Sequence, residues 1–141
     1  MLKVLFVCIH NSARSQMAEA FLRGLRPGHI EAESAGLEPG KINPLVVEVM
    51  REAGFDLSHC RAKGVAEMLE SSPPYTHVIT VCDGASAERC PVFPGNGQRL
   101  HWGFPDPSSA TGSDEERRNK VRAIRDEIRH QVTTWVENLV G

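Results

Sequence analysis

Residues 4–22 read VLFVCIHNSARSQMAEAFL. Four apolar residues, Val4, Leu5, Phe6 and Val7, break off at Cys8, and six residues later comes Arg14. A short, β-branched apolar run is the mark of a buried strand, predicted here over 3–7. Ala18, Phe21, Leu22 and Leu25 fall on one face of a helix predicted over 15–25 and stopped by Pro27-Gly28. The stretch is therefore strand, loop and helix, with a thiol where the strand ends and an arginine where the helix begins.

Outward from it, residues 29–35 read as a second strand running into Ser34-Ala35-Gly36. Asn43-Pro44 supplies a cap and first turn for a helix over 45–53, with Gly54 as its stop. A short helix is expected over 65–70 and a turn over 71–74. The run THVITVC at 76–82 is a second buried strand. Residues 83–97, rich in small residues, glycine and proline, read as loop, and 99–104 as a last strand. Ser113-Asp114-Glu115-Glu116 is a capping box. It opens a long helix with Val121, Ile124, Ile128, Val132, Trp135, Val136 and Leu139 on its inner face. Strands alternating with helices predict a parallel α/β sheet covered on both sides. No repeat or linker divides the chain, so residues 1–141 are expected to form a single domain.

The 141 residues suffice for a real core, and 40% hydrophobic with 24% charged residues is the balance of a globular protein. A net charge of −2 gives no footing for nucleic acid. No apolar run approaches the about 20 residues of a membrane span, and residues 4–9 are too short for a signal peptide. A cytoplasmic, reducing setting is expected. Four cysteines (Cys8, Cys60, Cys82, Cys90) in a domain of this size point to reactive or buried thiols before a disulfide scaffold. There is no Cys-x-x-Cys pair and the histidines are scattered, so a closed zinc site is not expected; the expected site holds no metal and no cofactor.

Ligands of open α/β sheets bind beyond the carboxyl ends of the strands, where Cys8 sits. Cys8-Ile9-His10-Asn11-Ser12-Ala13-Arg14 is Cys-x5-Arg. Its five intervening residues can wrap their N–H groups around a tetrahedral oxyanion at a helix N-terminus. Arg14 adds a planar fork for two oxygens. The same positive field favours the thiolate of Cys8, a nucleophile, and Ser15 is placed to donate a hydrogen bond to it. Asn11 tolerates the left-handed backbone that would tie the loop together. A buried structural cysteine is the competing reading for a lone thiol. The strand–loop–helix setting and the following serine weigh against it.

CIHNSARSQMAEA resembles the phosphate-binding loop of low-molecular-weight protein tyrosine phosphatases and of the arsenate reductases built on their fold. The resemblance extends to SAG at 34–36, VITVC at 78–82, HWGFPDP at 101–107 and the C-terminal helix. His10 stands where many members carry glycine. The fold this implies is a three-layer α/β sandwich around a four-stranded parallel sheet of flavodoxin-like topology. Both activities need an acid for the leaving group, and Asp106, before Pro107 and near Trp102 and Phe104, is its candidate.

A phosphatase hydrolyses its thiophosphate with water, whereas a reductase needs further thiols. Cys82 ends a predicted strand and so emerges on the same rim as Cys8, and Cys90 follows after seven residues. They are either a redox pair or two buried cysteines. The resemblance to thioredoxin-coupled arsenate reductases implies the pair: Cys8 attacks arsenate, Cys82 attacks Cys8 with release of arsenite, and Cys90 attacks Cys82. Where such phosphatases carry aromatic residues after Asp-Pro, this chain has Ser108-Ser109-Ala110, which favours the reductase. Arsenate, thioredoxin or a similar dithiol, a detoxifying role in arsenical resistance and a monomeric state are the resulting expectations. The alternatives are hydrolysis of phosphate monoesters through a cysteinyl-phosphate, or oxyanion sensing without turnover. Some of these reductases bind potassium behind the loop through residues matching Asn11, Glu19 and Ser34 plus an acid. Lys63 stands at the acid's position: either its ammonium takes the cation's place and pairs with Glu19, or it is a solvated surface lysine.

Overall fold

The computed structural model describes residues 2–10, 13–25, 30–38, 40–68, 74–82, 97–107 and 110–140. Strand β1 (Leu2–Cys8) lies at the centre, buried along nearly its whole length. A strand covered on both faces needs apolar residues at successive positions, which is why 4–7 lack alternation. β1 pairs in parallel with β2 (Ile30–Gly36) on one side and β3 (His77–Thr80) on the other, and β3 pairs with β4 (Gln98–His101). The order β2-β1-β3-β4 places a topological switch between β1 and β3, whose carboxyl ends flank one crevice.

Helix α1 (Arg14–Gly24) and the long α4 (Asp114–Val140) cover one face of the sheet. α2 (Pro44–Glu52) adds Val46, Val49 and Met50 to that core, beside Val121, Ile124, Ile128 and Val132 of α4. The opposite face carries Leu5, Val7, Ala35 and Val78 under Tyr75 and Val65, the first residue of α3 (Val65–Met68). The chain leaves β1 toward β2 and later returns past it to β3. Right-handed crossovers made in opposite directions fall on opposite faces.

Local chemistry accounts for the helix ends. Asn43 accepts the Leu45 N–H at 2.9 Å with Pro44 in the first turn, and Gly54, at φ +92°, follows the end of α2. Ser113 Oγ accepts the Glu116 N–H and Glu116 reaches back to the Ser113 N–H, the reciprocal box that opens α4.

Three expectations need correction. α1 ends at Gly24, so Leu25 sits in its C-cap, 42% exposed, and leaves the apolar face. The helix expected over 65–70 is present over Val65–Met68, and its residues 69–70 lie outside the described residues. β3 ends at Thr80, two residues before Cys82, although the Val81 N–H still reaches the Val7 carbonyl at 2.9 Å. β4 spans 98–101 and not 99–104: the Trp102 N–H still reaches the Thr80 carbonyl at 2.8 Å, but beyond it the Phe104 carbonyl is engaged by Arg14 and Pro105 has no N–H to offer. Residues 71–73 of the expected turn, 83–96 of the expected loop and the Leu139 side chain lie outside the described residues.

α4 is keyed to the sheet through a chain of rings. His77 meets Trp135 edge-on at 5.3 Å, Trp135 meets Trp102 at 5.6 Å, and Trp102 meets Phe6 at 6.0 Å. Burial in this stack pushes the His77 imidazole below its ordinary value of 6.5. The unfolded chain therefore takes up the proton first. Stability owed to the neutral ring is complete above the unfolded value and is lost as pH falls through the folded one. Melting temperature should drop more from neutral pH to about pH 5 in the wild type than in His77→Gln. Parallel declines would show that the ring charges without cost.

Candidate active site

The loop after β1 is held from one side by backbone. The carbonyls of Cys8, Ile9 and His10 accept the N–H groups of Leu37, Glu38 and Gly40 at 3.1, 2.7 and 3.0 Å. In a planar trans peptide the following N–H points the opposite way, so the amides of Ile9 and His10 face away from 37–40. Ala13, the N-cap of α1, has no side-chain oxygen to offer, and the first turn carries no acid. The amides and dipole of a helix N-terminus of this kind favour an anion. Asn11 and Ser12, also expected to bind the oxyanion, lie outside the described residues.

Cys8 Sγ and Ser15 Oγ lie 2.9 Å apart, both buried. Arg14 is only 6% exposed; its Nη1 donates to the Phe104 carbonyl at 3.1 Å and its Nη2 lies 4.0 Å from Asp106 Oδ2. Arg14 is therefore seated on the segment that carries Asp106, and the Asp106 side chain stays 40% exposed. Trp102, expected beside Asp106, turns instead into the core against Phe6 and Trp135. Arg14 thus lies beside Asp106, and Cys8 closes β1 next to the crevice between β1 and β3.

The thiols divide by setting. Cys82, 1% exposed, follows β3 by two residues and joins the same packed core as Cys8. Cys60 is half-buried behind the loop, in a cavity of about 310 Å³ shared with Glu19, Arg23, Phe55 and His59. Burial and then the nearby Glu19 push the Cys60 thiol up, which disfavours its thiolate. Cys90 lies outside the described residues.

Behind the loop, Glu19 gathers donors. Ser34 Oγ donates to Glu19 Oε1 at 2.7 Å, Lys63 Nζ to the same oxygen at 3.0 Å, and Arg23 Nε lies 3.4 Å from Oε2. Glu19 and Lys63 are 10% and 20% exposed at their side chains, so the pair is largely shielded from water. Potassium coordinated by Glu19 and Ser34 would meet this ammonium, and the residues placed here do not fit the ion. Reading the sequence did not find Arg23 or the 37–40 segment. The i,i+4 spacing of Glu19 and Arg23 was the available signal for the first; the second is a backbone contact that no residue type announces.

A thiol, a buried guanidinium and a carboxylate near a helix N-terminus are the groups that chemistry on a tetrahedral oxyanion needs. The chain belongs to the low molecular weight phosphotyrosine protein phosphatase family, whose model matches residues 3–140. An arsenate reductase of Halalkalibacterium halodurans is 38% identical over 134 residues, covering 95% of this chain and 94% of that one. The crystal structure of an arsenate reductase from Archaeoglobus fulgidus superposes with a TM-score of 0.76 at 30% identity, covering 95% of this chain and 98% of that one. A thioredoxin-dependent arsenate reductase of Corynebacterium glutamicum gives a TM-score of 0.62 at 27% identity, covering 95% of this chain and 63% of that one.

Proposed function

We propose that this chain reduces arsenate to arsenite through a thiol relay. The observation that carries the reading is the pair of buried thiols, Cys8 and Cys82, at the carboxyl ends of adjacent strands in one packed core. The Cys8 thiolate, with the Ser15 hydroxyl donating to it, attacks the arsenic held by the loop amides and Arg14. An S–As bond forms, and Asp106 protonates the oxygen that leaves as water. Cys82 then attacks the Cys8 sulfur. The S–S bond forms as the S–As bond breaks, and the electron pair stays on arsenic, which departs as arsenite. Cys90 attacks Cys82, frees the Cys8 thiolate and leaves a Cys82–Cys90 disulfide. A dithiol reductant of the thioredoxin class reopens it by exchange. Arsenite release in the presence of thioredoxin, thioredoxin reductase and NADPH, run beside a phosphate-ester assay, tests the reading. Ester hydrolysis without arsenite release would establish the phosphatase instead.

Lys63 replaces a cation in this reading. Melting temperature and activity should then respond no differently to potassium than to sodium at equal ionic strength. Lys63→Asp should open the pocket, and potassium should raise the melting temperature of that variant by mass action on the folded state. A potassium-specific rise in the unmutated protein would remove Lys63 from this role and leave the thiol assignments standing.

A further inference from the structure

We propose that the His10 side chain is a positioning residue of the oxyanion loop, latching its first half to the 38–40 segment through one hydrogen bond. His10 Nδ1 lies 2.8 Å from the Glu38 carbonyl oxygen. A carbonyl can only accept, so Nδ1 carries the proton and the neutral ring is the Nδ1–H tautomer. The same residue's carbonyl accepts the Gly40 N–H at 3.0 Å, so His10 grips the segment at both ends. The ring lies over Gly40: a Cβ there would stand 3.5 Å from His10 Cβ and about 4.0 Å from Nδ1. Since His10 is exposed, burial does not hold it, and the directional bond does. An anion that must order its own loop binds more weakly than one that finds the loop already shaped. The latch therefore acts on affinity, through the backbone whose amides receive the anion.

The proposal rests on the reading that this loop binds an oxyanion, and not on what happens to the anion afterwards. Inorganic phosphate, which has the same shape and is not reduced, is the probe, with affinity measured by calorimetry. His10→Ala should weaken phosphate binding about fivefold, the worth of one net hydrogen bond. His10→Asn, whose Nδ2 donor takes the place of Nδ1, should bind within about twofold of wild type. His10→Gln, whose donor stands where Nε2 was, should bind as weakly as the alanine variant. With arsenate, KM should rise in the same order while kcat holds, as for lost uniform binding. Equal affinities in the asparagine and glutamine variants, or undiminished binding in the alanine variant, would overturn the latch. A wild-type protein that binds no phosphate would remove the loop reading and the latch together. The predicted order of affinities in a protein that does not reduce arsenate would support the latch and remove only the reductase.

Discussion

Replacing Cys8 by serine should abolish arsenate reduction and any ester hydrolysis together, by at least roughly 10⁴-fold in kcat. The two reactions share their first step, attack by a thiolate on a bound tetrahedral centre. A hydroxyl, whose acidity is many orders of magnitude below that of a thiol, is a far weaker nucleophile here. Reduction fails for a second reason: an oxygen at position 8 offers Cys82 no sulfur to attack. The fold should be untouched, because the substitution is nearly isosteric and Ser15 Oγ, 2.9 Å from Cys8 Sγ, is a ready partner for a hydroxyl. Phosphate should still bind, since Arg14 and the loop amides remain and the thiolate's repulsion of the anion is gone. The measurement is arsenite formation beside phosphate calorimetry and a melting curve on the same sample. Arsenite formed by a folded, phosphate-binding Cys8→Ser protein would overturn the nucleophile assignment.

What could be read from the chain follows how local the determining physics is. β1 was legible because a strand buried on both faces must be continuously apolar, and α2 because Asn43-Pro44 acts within one turn. The family and its α/β sandwich were legible from the loop and from motifs spread along the chain, and the whole-chain match bears this reading out. The edges of the elements were not. Gln98–His101 has a single partly buried apolar residue, Leu100, as an edge strand tolerates, and just beyond it the Phe104 carbonyl is engaged by Arg14 from 90 residues away. Leu25 fits the apolar face of α1 by spacing, yet the helix stops one residue before it. The His10–Glu38 contact was out of reach for the same reason as the 37–40 staple. It joins a side chain to a carbonyl 28 residues on, and every residue has a carbonyl.

Cys82→Ser and Cys90→Ser should each end multiple turnover with thioredoxin while sparing hydrolysis of a phosphate ester, because in the proposed relay both thiols act after the first attack. They should fail at different points. Without Cys82 nothing attacks the Cys8–arsenic adduct, so no arsenite is released. Without Cys90 one equivalent of arsenite is released and the enzyme stops as a Cys8–Cys82 disulfide. The burial of the two sulfurs says why a third thiol is needed. Cys8 is 3% and Cys82 1% exposed, so a bond between them is shielded from a protein-sized reductant. Another cysteine of the chain must take the oxidation onward, and only Cys60 and Cys90 remain. Cys60 is the poorer candidate, since burial and then Glu19 push its thiol up and disfavour the thiolate. Cys60→Ser should therefore cycle like wild type and serves as the control. Arsenite is counted per enzyme with and without thioredoxin, and the disulfide is located by mass spectrometry of alkylated peptides. Continued cycling by Cys82→Ser would break the relay at its centre, and loss of cycling in Cys60→Ser alone would hand the outward step to Cys60. Collapse of the circular dichroism of both Cys82→Ser and Cys90→Ser would assign the two thiols to packing and return the site to ester hydrolysis.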